Sequence, residues 1–200
     1  MNNGQEKKPY HHGNLHETLM EDGLTMIHED GLANFSLRKL AKRVGVSATA
    51  IYNHFDGLED LMTAMNDYVA RRFYEALYER VVNSQDQPYR ITTEVGKGYV
   101  KFFSEHPNYF SFVFDQSNTK VKIEENDIKS NYPAFALFRE VSLQCFHDAG
   151  IKEEAYRDNL LVMWACVHGL AAMANMKTVT FDGDWEELTE KVLVGKLNIR

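Results

Sequence analysis

The sequence predicts an all-α chain, with an N-terminal three-helix head that contains a helix-turn-helix and a larger C-terminal helical bundle. Three observations predict it. Apolar residues recur three or four positions apart along most of the length, and Ser, Asp and Gly stand where helices must start and stop. No alternating strand pattern, internal repeat or low-complexity segment of comparable strength appears. The 200 residues suit one small module and one larger one, assigned here to 1–57 and 58–200.

Leu15, Leu19, Gly23, Met26 and Ile27 form the apolar stripe of a first helix, which Gly31 ends. Ser36 is placed to cap a second helix whose apolar face is Leu37, Leu40, Ala41 and Val44, and Gly45 supplies the positive φ that stops it. Ser47 then caps a third, very short helix. Ile51 and Phe55, four apart, anchor it on one side, so Ala48, Thr49, Tyr52 and Asn53 are left to project outward. Two short helices around a tight Gly turn are a device for placing one helix in the DNA major groove.

Asp56 with Glu59 three residues on reads as a capping box for a fourth helix that continues to about Val82. A helix of about 25 residues spans some 37 Å, enough to join the head to the body. The linker 83–88 breaks the pattern, and a fifth helix runs from about 89 to 105, before Pro107. Seven aromatic residues then fall between Tyr99 and Phe114, followed by a polar segment, 115–131. Further helices are expected at about 133–149, stopped by Gly150, at about 153–177, and at about 184–196, where Asp184 and Glu187 repeat the box.

Composition narrows the class. A hydrophobic fraction of 44% and a charged fraction of 26% are those of a soluble globular protein, and no apolar run approaches the roughly 20 residues of a membrane helix. The polar N-terminus reads as lacking a secretory leader, and the two cysteines, Cys145 and Cys166, lie in apolar helical patterns, so a reducing cytoplasm is expected. The net charge of −7 argues at first against a nucleic-acid binder. Its distribution argues the other way: between Ser36 and Phe55 stand Arg38, Lys39, Lys42 and Arg43 with no acid among them, and Lys7 and Lys8 precede the first helix. A locally positive face on an acidic body attracts phosphate, because the attraction acts over about 8 to 10 Å.

The head resembles the DNA-binding domain of the tetracycline-repressor-like (TetR) family of bacterial transcriptional regulators. The resemblance lies in Tyr10-His11-His12-Gly13-Asn14-Leu15, in Gly45-Val46-Ser47, in Tyr52 and His54-Phe55, and in the acidic, Leu-containing start of the fourth helix. It covers about the first third of the chain. It implies that Ala48, Thr49 and Asn53 face base edges and that Tyr52 and His54 meet phosphates. The chemistry agrees, since Asn pairs adenine through two hydrogen bonds, the Thr methyl suits the thymine methyl, and Ala permits close approach. Ser36, Arg38, Lys39 and Ser47 stand at helix N-termini, where side chains and backbone N–H groups hold phosphates, and Lys42 adds charge beside them. One departure is Leu58, at a position where the family usually carries a Lys that meets the DNA backbone.

Trp164, His168 and Gly169 resemble a Trp…His-Gly segment in the penultimate helix of one branch of the family, whose last two helices form a homodimer interface. Ala165, Gly169, Ala172 and Met176 share one helix face and would admit a partner helix closely, and Trp185, Leu188, Val192 and Ile199 form a second apolar stripe. A two-fold operator requires such a dimer. The resemblance also implies a small-molecule cavity, for which the aromatic segment offers Phe102, Phe103, Tyr109, Phe110 and Phe114, with Met163, Trp164 and His168.

Other chemistries are poorly served. His16-Glu17 lacks the second His four residues on that a zinc protease needs, since Met20 is there, and His11 and His12 do not supply it, so no metal is expected. No nucleophile elbow, phosphate-cradling Gly loop or dinucleotide-binding Gly triplet occurs, which argues against an enzyme, and no cofactor is expected. The reading is a cytoplasmic, homodimeric repressor released from a palindromic operator by a small apolar ligand, with double-stranded DNA, itself and that effector as partners and no membrane. A nucleoid-associated or division-linked DNA binder with the same head and no small-molecule inducer stays open.

Overall fold

The computed structural model describes residues 15–84, 90–116, 121–124, 127–130 and 132–195. The basic arm with Lys7 and Lys8, the motif residues 10–14, most of the linker 83–88, and Ile199 lie outside them. The chain divides into two compact units, 1–65 and 66–200. The division falls within the fourth helix.

The first unit holds α1 (Leu15–Asp30), α2 (Leu37–Val44), α3 (Ala48–Tyr52) and the first turns of α4 (Leu58–Asn83). Its core is Leu19, Met20, Leu24 and Ile27 of α1, Leu40 and Ala41 of α2, Ile51 of α3, and Phe55, Leu61 and Met65. The caps are where the sequence puts them: Ser36 Oγ accepts from Lys39 N and Ser47 Oγ from Ala50 N. Gly45, at φ 81°, closes α2 in the left-handed region, where a side chain would strain. At the start of α4 the cap differs from the expected box. The Asp56 N–H donates to Asp60 rather than to Glu59, at 3.1 Å, because the helix begins one residue later, at Leu58, which moves the third position to Asp60.

The second unit is arranged around α5 (Ile91–Glu105), a helix buried on opposite sides. A methyl group at Gly96 would sit 2.7 Å from Leu193 Cδ1 and 3.3 Å from Val167, so α5 meets α8 (Tyr156–Asn175) and α9 (Trp185–Gly195) there at closest approach. On the other side, Gly98 admits Leu77 and Arg80 of α4 in the same way. Charges close the rim of this packing. Arg80 bridges Glu94 at 3.4 Å and Glu186 at 2.6 Å, and Lys97 bridges Glu94 at 2.9 Å and Glu190 at 3.0 Å. Burial works against the Lys97 ammonium, but its hydrogen bonds to the two carboxylates outweigh that and hold its pKa above the ordinary value.

After α6 (Pro107–Ser111) a π-turn spans Phe112–Gln116. The polar segment that follows holds a structure that the sequence pattern does not announce. β1 (Val121–Ile123) and β2 (Ile128–Ser130) pair antiparallel, with Val121 opposite Ser130 and Ile123 opposite Ile128. Three residues per strand are too few for alternation to stand out. Lys122 and Lys129 face one another in this ladder, and Glu124 lies 2.7 Å from each; their hydrogen bonds draw its carboxyl down to about 2. Asp127 anchors the ribbon to α7 (Pro133–Asp148) by accepting from Arg139 Nε at 3.0 Å and Nη2 at 2.9 Å.

Candidate nucleic-acid interface and body cavity

On α3, Ile51 and Phe55 are buried, as their four-residue spacing demands, and this turns the rest of the helix outward. Thr49, Tyr52, Asn53 and His54 are exposed, Tyr52 at 53%, and Ala48 is half-buried. Tyr52 is therefore not used in packing the head. Asn53 stands just past the last turn in a helical conformation, its N–H donating back to the carbonyl groups of Thr49 and Ile51.

The α2 cations separate by role. Arg38 and Lys42 are exposed and form no ion pair among the described residues. Lys39 is exposed too, but its ammonium donates to the Asn34 carbonyl at 2.7 Å and so braces the turn before α2. Arg43 faces away from this group. It bridges Asp22 at 3.1 Å and Glu29 at 2.7 Å, tying α2 to α1, and its hydrogen bond to Glu29 raises its own pKa and lowers that of the carboxylate. A signal for this bridge is present in the sequence: Asp22 and Glu29 are seven apart, two turns along one face of α1. Ser36 and Ser47 accept from the backbone as caps, which leaves each hydroxyl hydrogen available to donate to a phosphate oxygen. Leu58 is exposed among Asp56, Glu59 and Asp60, so the positive surface ends at the start of α4.

In the second unit, a largely apolar cavity of about 50 Å³ lies between α4, α5, α7, α8, the π-turn and the ribbon. Phe73 and Leu77 line it from α4, Val95, Gly96 and Tyr99 from α5, Phe135 and Phe138 from α7, and Trp164 and Val167 from α8. Of the eight residues expected at a cavity, Phe114 and Trp164 line this one. Phe102, Phe103, Tyr109 and Met163 are instead packed core, with the Phe73 ring 5.0 Å from Phe102 and 4.6 Å from Phe103. Phe110 stacks on His168 at 5.5 Å, and both lie beside the cavity rather than on its wall. The difference is position along α5 rather than face: Val95, Tyr99 and Phe102 are spaced i, i+4, i+7 on one side, and a turn beyond Tyr99 the rings of Phe73 and Tyr109 pack against Phe102 and leave no space.

The lining includes Tyr99, Tyr132, Ser130 and Trp164, and no charged side chain among the described residues. The Tyr99 hydroxyl lies 3.0 Å from Nδ1 of His168. Burial pushes the Tyr99 pKa well above the ordinary phenol value and pulls that of His168 below 6.5, so both groups are neutral near pH 7.

On α8, Leu160, Met163, Val167, Leu170 and Ala171 are buried. The opposite face is open: Ala165 is exposed, Gly169 and Ala172 are half-buried, and Met176 is 51% exposed, with nothing within 4 Å of where a Gly169 side chain would begin. Val162 and Met173 extend this stripe. On α9, Thr189 and Leu193 are buried, and Trp185, Leu188 and Val192 are half-buried, with Trp185 resting 4.7 Å from the Phe181 ring. No group of His, Cys, Asp and Glu among the described residues is arranged to hold a metal ion, and no helix among them is long and apolar enough to cross a membrane.

Residues 19–65 match the family model described as bacterial regulatory proteins, tetR family, and residues 92–195 match the model of the tetracyclin repressor-like C-terminal domain. No curated protein matches the chain. Many solved structures share the fold. The fatty acid degradation regulator FadR from Bacillus halodurans superposes with a TM-score of 0.70 at 16% identity, covering 97% of this chain and 100% of its own. A TetR-family transcriptional regulator from Haemophilus influenzae gives 0.64 at 20% identity, covering 92% and 94%. FadR from Bacillus subtilis in complex with stearoyl-CoA gives 0.64 at 13% identity, covering 88% and 95%.

Proposed function

This chain belongs to the tetR family of bacterial transcriptional regulators, and from that premise we propose that it is a homodimeric repressor that reads a palindromic operator and is released from it by a mainly apolar small molecule. The exposed set on α3 carries the proposal. Thr49, Asn53, Tyr52 and His54 point outward while Ile51 and Phe55 hold the helix, and Arg38 and Lys42 flank them with no competing acid on α2 or α3. In this reading Ala48, Thr49 and Asn53 meet base edges, and Ser36, Arg38, Lys39, Lys42, Ser47, Tyr52 and His54 meet the backbone.

The dimer is proposed to form through the open stripe of α8 and the half-buried side of α9, because an exposed apolar face on a soluble protein marks a surface that another surface covers. Two-fold symmetry would set two recognition helices about 34 Å apart, in successive major grooves. Release is proposed to pass through α4. The same helix supplies Leu61 and Met65 to the head core and Phe73 and Leu77 to the cavity wall, so a ligand that rearranges the wall acts on an element the head also uses. The Bacillus subtilis relative was solved with stearoyl-CoA, which supports an acyl or other long apolar effector.

Selecting fragments of genomic DNA on the purified protein tests the reading. Enrichment of one inverted repeat, bound by a dimer, is the expected result; equal recovery of all fragments would overturn sequence-specific regulation. A cavity of about 50 Å³, well below the roughly 300 Å³ at which ligand sites begin, favours a second reading in which the same head binds DNA without an inducer.

A further inference from the structure

Among the residues that line the cavity, Tyr132 carries a hydroxyl with no partner in the described fold. Tyr132 is 7% exposed, and its hydroxyl oxygen is buried with no hydrogen-bond partner among the described residues. A buried hydroxyl left unpaired destabilises a fold, and a Phe of the same shape would avoid the penalty. The neighbouring hydroxyl shows the contrast, since Tyr99 lies within hydrogen-bond distance of His168. Burial, reinforced by the negative charge of Asp67, pushes the Tyr132 pKa upward, so the phenol keeps its proton and can donate it.

The rest of the wall limits what can accept that proton. Phe73, Val95, Phe135, Trp164 and Val167 are apolar or aromatic, and no described lining residue carries a charge that would balance an ion. An ionised carboxylate brought there would lose its hydration without gaining a counter-charge. Resting on the reading of this cavity as the effector site, we propose that it takes an uncharged, mainly apolar ligand bearing one hydrogen-bond acceptor, such as a ketone or ester carbonyl, which the Tyr132 hydroxyl holds. At about 50 Å³ the cavity must widen to admit it. Phe114, Val121 and Ser130 form the wall that yields, because they come from the π-turn and from strands of three residues, whereas the other walls are long packed helices.

Three probes of similar size separate the chemistry: valerophenone carries a ketone beside the ring, pentylbenzene has no polar group, and 5-phenylpentanoate has no ketone and carries a carboxylate at the end of its chain. Calorimetric titration of the full chain should place valerophenone first, with 5-phenylpentanoate at least about tenfold weaker. Tyr132→Phe should weaken valerophenone about threefold to tenfold and leave pentylbenzene unchanged. The same variant should unfold at an equal or higher temperature, because the hydroxyl contributes nothing to the empty fold. Equal binding of the carboxylate, valerophenone binding that ignores Tyr132→Phe, or clear thermal destabilisation by that change would overturn the proposal while leaving the cavity as a ligand site. If none of the three probes binds the wild-type chain, the effector-site reading itself fails, and the proposal with it.

Discussion

The outer faces of α3 and α8 are both helix surfaces that the chain leaves open, and their chemistry is opposite. On α3 and the turn after it the exposed side chains are Thr49, Tyr52, Asn53 and His54, each with a polar group at its tip. On α8 they are Val162, Ala165, Met173 and Met176, with Gly169 between them. Water tolerates the first face at little cost, whereas the second costs about 25 cal/mol for each Å² left wet. A polar open face is therefore free to wait for a partner that comes and goes. An apolar one is best explained by a surface that covers it permanently, which is why DNA is assigned to α3 and a second copy of the chain to α8.

The largest expected effect breaks the α8 side of this contrast. Gly169→Leu adds a side chain into open space within one protomer, so the monomer should keep its fold and thermal stability. Across the proposed two-fold interface the change occurs twice, and overpacking at about 1 to 3 kcal/mol per site should shift the proposed dimer strongly toward monomer. Sedimentation at low micromolar concentration reads this directly, and operator affinity should fall with it. A dimer that survives would move the permanent interface away from α8.

The α3 side is tested by two substitutions with different signatures. Asn53→Ala should cost about 1 to 3 kcal/mol on the operator and little on random duplex, because a base pairing is lost. Lys42→Ala should weaken both duplexes alike and reduce the slope of log affinity against log salt by about one. Equal losses on both duplexes for Asn53→Ala would place that residue on the backbone.

How legible each region is in the sequence follows the same division. The head is legible because its determinants are local. Ser36, Gly45 and Ser47 set the ends of two helices within a dozen residues, and the spacing of Ile51 and Phe55 then fixes which side chains of α3 face out. The Arg43 bridge escapes a local reading because its partners lie on another helix, and the α4 cap differs because the helix starts at Leu58, one residue later than the spacing of Asp56 and Glu59 suggests, with Asp60 accepting from the Asp56 N–H. In the body, sequence spacing places Val95, Tyr99 and Phe102 on one side of α5 but cannot say at which level along the helix the neighbouring rings close the space. Phe102 and Phe103, expected at the cavity, therefore belong to the core, while Tyr99 and Tyr132 take the wall.

A smaller stabilising role is expected of the cap that orients α3. Ser47→Ala removes both the acceptor for Ala50 N and the hydroxyl proposed to meet a phosphate; it should cost about 0.5 to 2 kcal/mol of head stability in chemical denaturation and weaken operator and random duplex alike, by more than the unfolded fraction explains. An affinity loss no larger than the unfolded fraction explains would confine Ser47 to capping α3.

The smallest effect sharpens the edge of the polar face. Leu58 is 43% exposed in the first turn of α4, where the family usually has a Lys, and Asp56, Glu59 and Asp60 stand beside it in the chain, all exposed. Leu58 brings no positive charge to that corner. Leu58→Lys should strengthen operator and random duplex by the same factor of a few, with the salt slope steeper by about one, because it adds one phosphate contact without base information. Neighbouring carboxylates keep the gain modest, and it should grow when Glu59→Gln is combined with it. A gain confined to the operator would mean that Leu58 already stands against a base. No gain on either duplex would place the start of α4 outside the DNA contact surface and confine the interface to α2 and α3.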